Sequence, residues 1–414
     1  MNSNTKYTVL GLLSLACCLL YGCGEDRTYE YEAWTQKNRV MQEVMREWYI
    51  WGDGIKDQEW KDYFGDATDF FKKLISSSNP NDTWSYCMVD SSRKDCHERG
   101  TFNHIDSYGI DYTTMSDPTR LTSQTLARVL TVYDGSPAKE CGLERGEFIS
   151  HIDGEKVTAK NVSLLKNGGA HRLIVNRLSA IGDSLVWQSE REVTIGASRK
   201  VDDVQVPVAR VFTKKTDVIG YVMINHLNGD GYKDVLREFN QTDVLVVDFR
   251  LCNDGTLENA RALASCLVDE SKYGETFCTS VWKESKKEQN QTLLYDPDFK
   301  PFNPCVKSVC FITSAYTSGA AEWVIYGLRH SMGDDFCRTF GVTSKGQNVT
   351  IKEFPTEFGY TLGLSVAYIT DGDGNYDYGD GIAPDVDVNE YQYVRFYPYG
   401  DKDEIVLSTV IDNI

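Results

Sequence analysis

Apolar and polar positions divide the chain into three regimes. Across residues 30–76 the apolar positions fall at helical spacing: Val40, Met41, Val44, Met45 and Trp48 form one stripe. The stretch "WKDYFGDATDFFKKLIS" (60–76) predicts a second amphipathic helix, and the polar segment 77–105 predicts loops. The period shortens after 105. "SYGIDY" and "LARVLTVYD" are short strand-like runs. Gly135-Ser136-Pro137-Ala138 then turns into a short helix, and "FISHIDGEKV" gives two strands joined at Asp153-Gly154. From about residue 218 strands and helices alternate. "VIGYVMINHL" is a strand, "YKDVLREFNQ" a helix, and "TDVLVVDFR" a nearly continuous apolar strand of the kind buried on both faces. "LENARALASCLV" is a helix, "SVCFITS" another buried strand, and "SAYTSGAAEW" a small-residue turn entering the helix "AAEWVIYGLRH". "DFCRTFGVTSKGQNVT" reads as strand, loop, strand. The expected fold class is α/β: a core of mixed sheet and helices, preceded by a small helical unit and a β-rich domain.

The beginning of the chain has a pattern of its own. A polar start with one Lys leads into an apolar run from Val9 to Leu20, too short to span a bilayer comfortably and suited to a signal-peptide core. It ends in "LLYGC", which resembles the lipobox at which a bacterial signal peptidase cuts before a lipid-modified cysteine. Cys23 is then the lipidated N-terminus, and the expected location is the outer membrane of the cell envelope. The alternative is a secretory signal with Cys23 left free. The expected division is 1–22 signal peptide, 23–104 helical unit, 105–213 β-rich domain and 214–414 α/β core. A net charge of −18 argues against nucleic acid as a partner. Cys87 and Cys96 form the expected local disulfide, and the remaining cysteines show no C-x-x-C spacing for zinc. "DGDGNYDYGDG" puts Asp371, Asp373, Asn375 and Asp377 at alternate positions. Without a Glu at the twelfth place it reads as an acidic turn, with calcium as the alternative. No metal and no cofactor is expected.

Several stretches carry a resemblance. "GSPAKECGLERGEFISHIDG" resembles the core of a PDZ domain. "VLVVDFRLCNDG", "TSGAAEWVIYGLR", "GVTSKGQ" and "GDGIAPDVDV" resemble the core of C-terminal processing (tail-specific) serine proteases, in particular the Bacteroidetes lipoprotein type that carries a PDZ domain. The PDZ resemblance implies that the backbone N–H groups of Tyr108, Gly109 and Ile110 hold a peptide C-terminal carboxylate while the peptide adds as a strand. The alternative is a small β-domain whose groove is filled by its own chain. The protease resemblance implies a Ser/Lys dyad, in which a neutral lysine activates a serine hydroxyl and no histidine is needed.

Carried onto this chain, the nucleophile is Ser318 and the base Lys345. Gly255, Gly319 and Ala320 supply oxyanion amides, and Gln347 orients the amine. Three positions depart from the family pattern; at one of them the family's glutamine, four after the lysine, falls at Val349, and Gln347 stands two places early. Aligned on Glu322, the family's nucleophilic serine falls at Gly319, and Ser318 stands one place early. "DFRLCNDG" puts Asp254 where the family has the first of two glycines and keeps Gly255. The expected function is therefore a lipid-anchored endopeptidase acting on unstructured polypeptide C-termini. The alternative is a catalytically impaired relative that only binds peptides.

Overall fold

The computed structural model describes residues 28–89, 106–182, 184–393 and 396–414. The described residues form two compact units, one within 1–92 and 352–364, the other within 93–351 and 365–414.

In the first unit, helix α1 (Thr28–Trp48) buries Thr35, Asn38, Met41, Gln42 and Met45, a stripe at the helical period. The single helix expected over 60–76 is two elements: a 3-10 turn at Trp60–Phe64 and helix α2 (Ala67–Ser78). The break follows from Asp66, whose carboxylate accepts the N–H groups of Thr68 and Asp69 at 2.8 and 3.3 Å and so starts a new helix. Asn38 holds the intervening turn through the carbonyls of Tyr63 and Gly65, both at 3.0 Å. The segment expected to be loop contains strand β1 (Tyr86–Val89), which pairs antiparallel with residues 360–363. Cys87 on that strand is a free, half-buried thiol, against the disulfide expected with Cys96, which lies outside the described residues.

The second unit opens with a β-domain. Its strands are β2 (Ile110–Ser116), β3 (Thr125–Val132), β4 (Phe148–Ile152), β5 (Glu155–Lys156), β6 (His171–Ile181) and β7 (Ser184–Ile195). The sheet order is β2-β3-β4-β6-β7, with β5 paired to β4, so β2 is an edge strand. Between β3 and β4 lies the short helix α3 (Pro137–Glu140), where Ser136 Oγ accepts the Lys139 N–H at 3.1 Å and Pro137 begins the turn.

The α/β core follows: β8 (Val208–Lys214), β9 (Asp217–Met223), α4 (Tyr232–Glu238), β10 (Val244–Asp248), α5 (Leu257–Leu267), β11 (Thr276–Trp282), β12 (Gln291–Leu294), β13 (Ser308–Thr313), α6 (Ala320–Met332), β14 (Cys337–Gly341), β15 (Val349–Pro355), β16 (Tyr360–Thr370), β17 (Val386–Asp387) and α7 (Ile405–Asp412). Six strands run in the order β17-β14-β13-β10-β9-β8, parallel throughout except for β8. Strand β10 is wholly buried. Leu245 and Val247 join the core under α5 and α6, while Val244 and Val246 join the opposite one under α7. This two-sided burial is why "VLVV" has no polar alternation. Strands β11 and β12 form an antiparallel pair, and β11 also pairs with residues 367–370.

Candidate active site

Residues 314–319 form the turn between β13 and α6. Three bonds moor it to the segment after β10. Ser314 Oγ donates to the Arg250 carbonyl at 2.6 Å, Thr317 Oγ1 to the Phe249 carbonyl at 2.9 Å, and the Ser318 N–H to the Cys252 carbonyl at 3.1 Å. Ser318 is 2% exposed. Gly319 sits at φ 58°, ψ −119°, a conformation with a steric penalty for any residue that has a Cβ. A Cβ built on Gly319 would lie 3.0 Å from Gln347 Oε1, so a side chain at 319 would face the Gln347 amide.

Glu322, in the first turn of α6, ties this turn to the loop that carries Lys345. It is fully buried and accepts the Gly319 N–H at 3.0 Å, the Gly346 N–H at 2.6 Å, the Gln347 N–H at 2.7 Å and the Ser344 hydroxyl. Burial pushes its carboxyl pKa up, against the pull of these donors. The Lys345 N–H donates to the Thr317 carbonyl at 2.9 Å, which sets its main chain against the turn, and the residue itself is exposed. Trp323 Nε1 donates to the Gln347 carbonyl at 2.9 Å.

Gly255 closes the other side. A Cβ there would lie 2.6 Å from Leu227 Cβ and 2.7 Å from Ala320 Cβ, so only glycine permits this approach of strand end to helix start. The Asp254 carboxylate accepts from the Asn228 amide, and its carbonyl accepts the Leu227 N–H at 2.7 Å. The structure thus gathers Gly255, Ser318, Gly319, Ala320, Lys345 and Gln347 around the beginning of α6.

Tyr108, Gly109 and Ile110 belong to the β-domain. Gly109 has φ 73°, and its N–H already donates to Ser107 Oγ at 2.9 Å. The Tyr108 hydroxyl bonds the Gly169 carbonyl, and the Tyr112 hydroxyl bonds the Val162 carbonyl at 2.8 Å, so both phenols cross from the β2 side to residues 162–169. Ile110 is buried and pairs with Val132. Cys23 lies outside the described residues.

Three features were not drawn from the sequence. Glu322 is one, although its place three residues after the helix cap is a capping-box signal. Tyr316 is the second. It is half-buried near Thr113 and Asp111 of β2, and burial pushes its phenol pKa up. The third is a buried charge cluster. Arg250 contacts Asp248 at 2.7 Å and both Glu390 and Glu404 at 2.9 Å, and Glu390 also takes Arg145 of the β-domain at 2.5 Å. Arg128 adds bonds to the carbonyls of Tyr391 and Tyr393 at 3.3 and 2.9 Å. In the acidic stretch, Asp371 accepts the N–H groups of Asp373 and Asn375 at 2.9 Å, forming a turn. Among the described residues no three His, Cys, Asp or Glu groups stand together as a metal site.

The profile of peptidase family S41 matches residues 218–388, and that of the peptidase S41 N-terminal domain matches residues 36–86. The chain is 24% identical over 294 residues to the carboxy-terminal processing protease CtpA of Bacillus subtilis, covering 68% of this chain and 57% of that protein. It is 22% identical to a probable CtpA-like serine protease of Staphylococcus aureus, covering 65% of this chain and 52% of that protein. The chain therefore spans little more than half the length of these curated relatives. Among solved structures, a putative S41 protease from Bacteroides fragilis matches with a TM-score of 0.78 and 26% identity over 90% of this chain and 96% of that one. The photosystem II D1 C-terminal processing protease shares the fold, with a TM-score of 0.53 and 16% identity over 86% of this chain and 93% of that one. With its core and its N-terminal segment both matched, the chain belongs to peptidase family S41.

Proposed function

We propose that this S41 chain is a lipid-anchored protein of the bacterial outer membrane that engages the C-terminal ends of extended polypeptides and does not cleave them. The observation that carries the reading is Gly319. The position whose side chain would face Gln347, at the cap of α6 and beside Gly255 and Ala320, holds glycine. The surrounding parts remain: a close-packed Gly255, the Glu322 clamp and a lysine whose main chain is fixed against the turn. Without a hydroxyl at 319 they can hold a peptide carbonyl but have no atom there to acylate. The PDZ-like β-domain supplies the tail-binding edge, since β2 ends its sheet and can accept an added strand. The polypeptide class of ligand comes from the named activity of the relatives.

A second reading is the endopeptidase, with Ser318 as nucleophile and Lys345 as base. It is favoured by the bond from the Lys345 N–H to the Thr317 carbonyl, which brings the lysine's main chain to the residue before Ser318. One assay separates the two. The full chain is incubated with an unfolded protein, and both hydrolysis and peptide binding are measured for wild type, Ser318→Ala, Lys345→Ala and Gly319→Ser. The binding reading expects wild-type hydrolysis no higher than that of Lys345→Ala, binding retained, and lysine-dependent cleavage gained in Gly319→Ser. Hydrolysis by wild type that is abolished in Ser318→Ala overturns it in favour of the endopeptidase.

A further inference from the structure

The first unit exposes aromatic side chains at one end. Trp34 is 72% and Trp60 52% exposed, and Tyr31 and Phe64 are exposed beside them. Phe64 meets Tyr31 edge-to-face at 6.1 Å and Trp60 at 5.5 Å. Tyr31 and Trp34 stand three apart on α1 and so are neighbours on its surface. The Arg39 guanidinium lies 5.2 Å from the Trp60 ring centroid and 5.0 Å from that of Tyr63, and its Nε donates to Thr35 Oγ1 at 3.2 Å. Single exposed apolar residues need no explanation, but a contiguous aromatic group does.

Its composition favours one occupant. Trp and Tyr concentrate at the headgroup level of bilayers, where an apolar ring and a polar edge are both satisfied. A guanidinium among them suits phosphate. Chain position points the same way. Cys23 precedes the start of α1 at Thr28 by five residues, which span at most about 18 Å even when extended. A chain tethered at Cys23 therefore carries this face within reach of the membrane surface.

We propose that the face formed by Tyr31, Trp34, Trp60 and Phe64 rests in the headgroup layer of a phospholipid bilayer, with Arg39 meeting lipid phosphate. The inference rests on the lipid-anchor part of the proposed function, and its test separates the two. The full chain, isolated from bacterial membranes, is reconstituted into phosphatidylcholine vesicles containing brominated lipid. Flotation reports the anchor, and quenching of tryptophan fluorescence reports the face. Wild type is expected to float and to be quenched. Trp34→Ala/Trp60→Ala is expected to float equally and to lose most of the quenching. Undiminished quenching in the double variant overturns the proposal. If wild type fails to float, the anchor is refuted, and the face is then judged by partition of the unlipidated chain onto the same vesicles. Equal partition of wild type and double variant overturns it there. A sedimentation shift from dimer to monomer in the double variant, without lipid, assigns the face to a second copy and also overturns it.

Discussion

At the scale of single residues, the site depends on two glycines and one carboxylate. Gly255→Ala forces a methyl against Leu227 and Ala320 at separations well inside contact distance. The expected loss is about 1–3 kcal/mol, read from the midpoint of urea unfolding. Glu322→Gln keeps the shape but presents an NH₂ to donors that now share a carboxylate. It is expected to lose about 2–3 kcal/mol in the same measurement. Gly319→Ser carries backbone strain of about 1–3 kcal/mol, so its cleavage assay belongs at moderate temperature. Gly255, Ser318, Gly319, Ala320, Lys345 and Gln347 were singled out in the sequence because their short segments resemble those of the protease family, and not by their chemistry alone. The role of Glu322 was less legible, since three of its four partners lie more than twenty residues away and the fourth is a helix cap whose geometry appears only on folding.

Elements were legible where one physical demand dominated. Strand β10 is buried on both faces, and its unbroken apolar run says so. The run at 60–76 kept a helical period on both sides of Gly65-Asp66, so periodicity alone merged two elements that a cap separates. Asp66→Ala is expected to lose about 1 kcal/mol and to loosen the start of α2, detected as faster amide exchange in its first turn. Strands β11 and β12 escaped notice because charged and polar residues dominate the chain between and around them. The turn before α6 is held by side-chain bonds to carbonyls rather than by an apolar pattern. Thr317→Val removes the bond to Phe249 and strands the buried Ser314 N–H, which donates to Thr317 Oγ1 at 2.9 Å. A loss of about 1–3 kcal/mol is expected, with faster exchange at the neighbouring amides.

At the scale of the whole molecule, the buried cluster of Arg250, Asp248, Glu390, Glu404 and Arg145 joins the β-domain, the sheet and the chain end within one unit. It was not legible because Arg250 and Glu390 are 140 positions apart. Burial pushes the Glu404 carboxyl up, but Arg250 and further donors outweigh it and hold the pKa below the usual carboxylate range. A depressed folded pKa gives stability that is present above the unfolded pKa and lost as pH falls through the folded one. Wild type is therefore expected to lose stability on acidification below about pH 4. Glu404→Gln is expected to be less stable at neutral pH by about 3–5 kcal/mol and flatter across the acid range, both read from urea midpoints against pH. The composition of the first unit has a different consequence. Its strand β1 finds its partner only at residues 360–363, and the Tyr86 hydroxyl bonds Glu353, 267 positions further on. A ribosome delivering this chain has the first unit's helices in hand long before the strand that completes it. The unit written first is thus among the last to close, and until residues 360–363 emerge its strand β1 is a solitary edge with nothing to pair with.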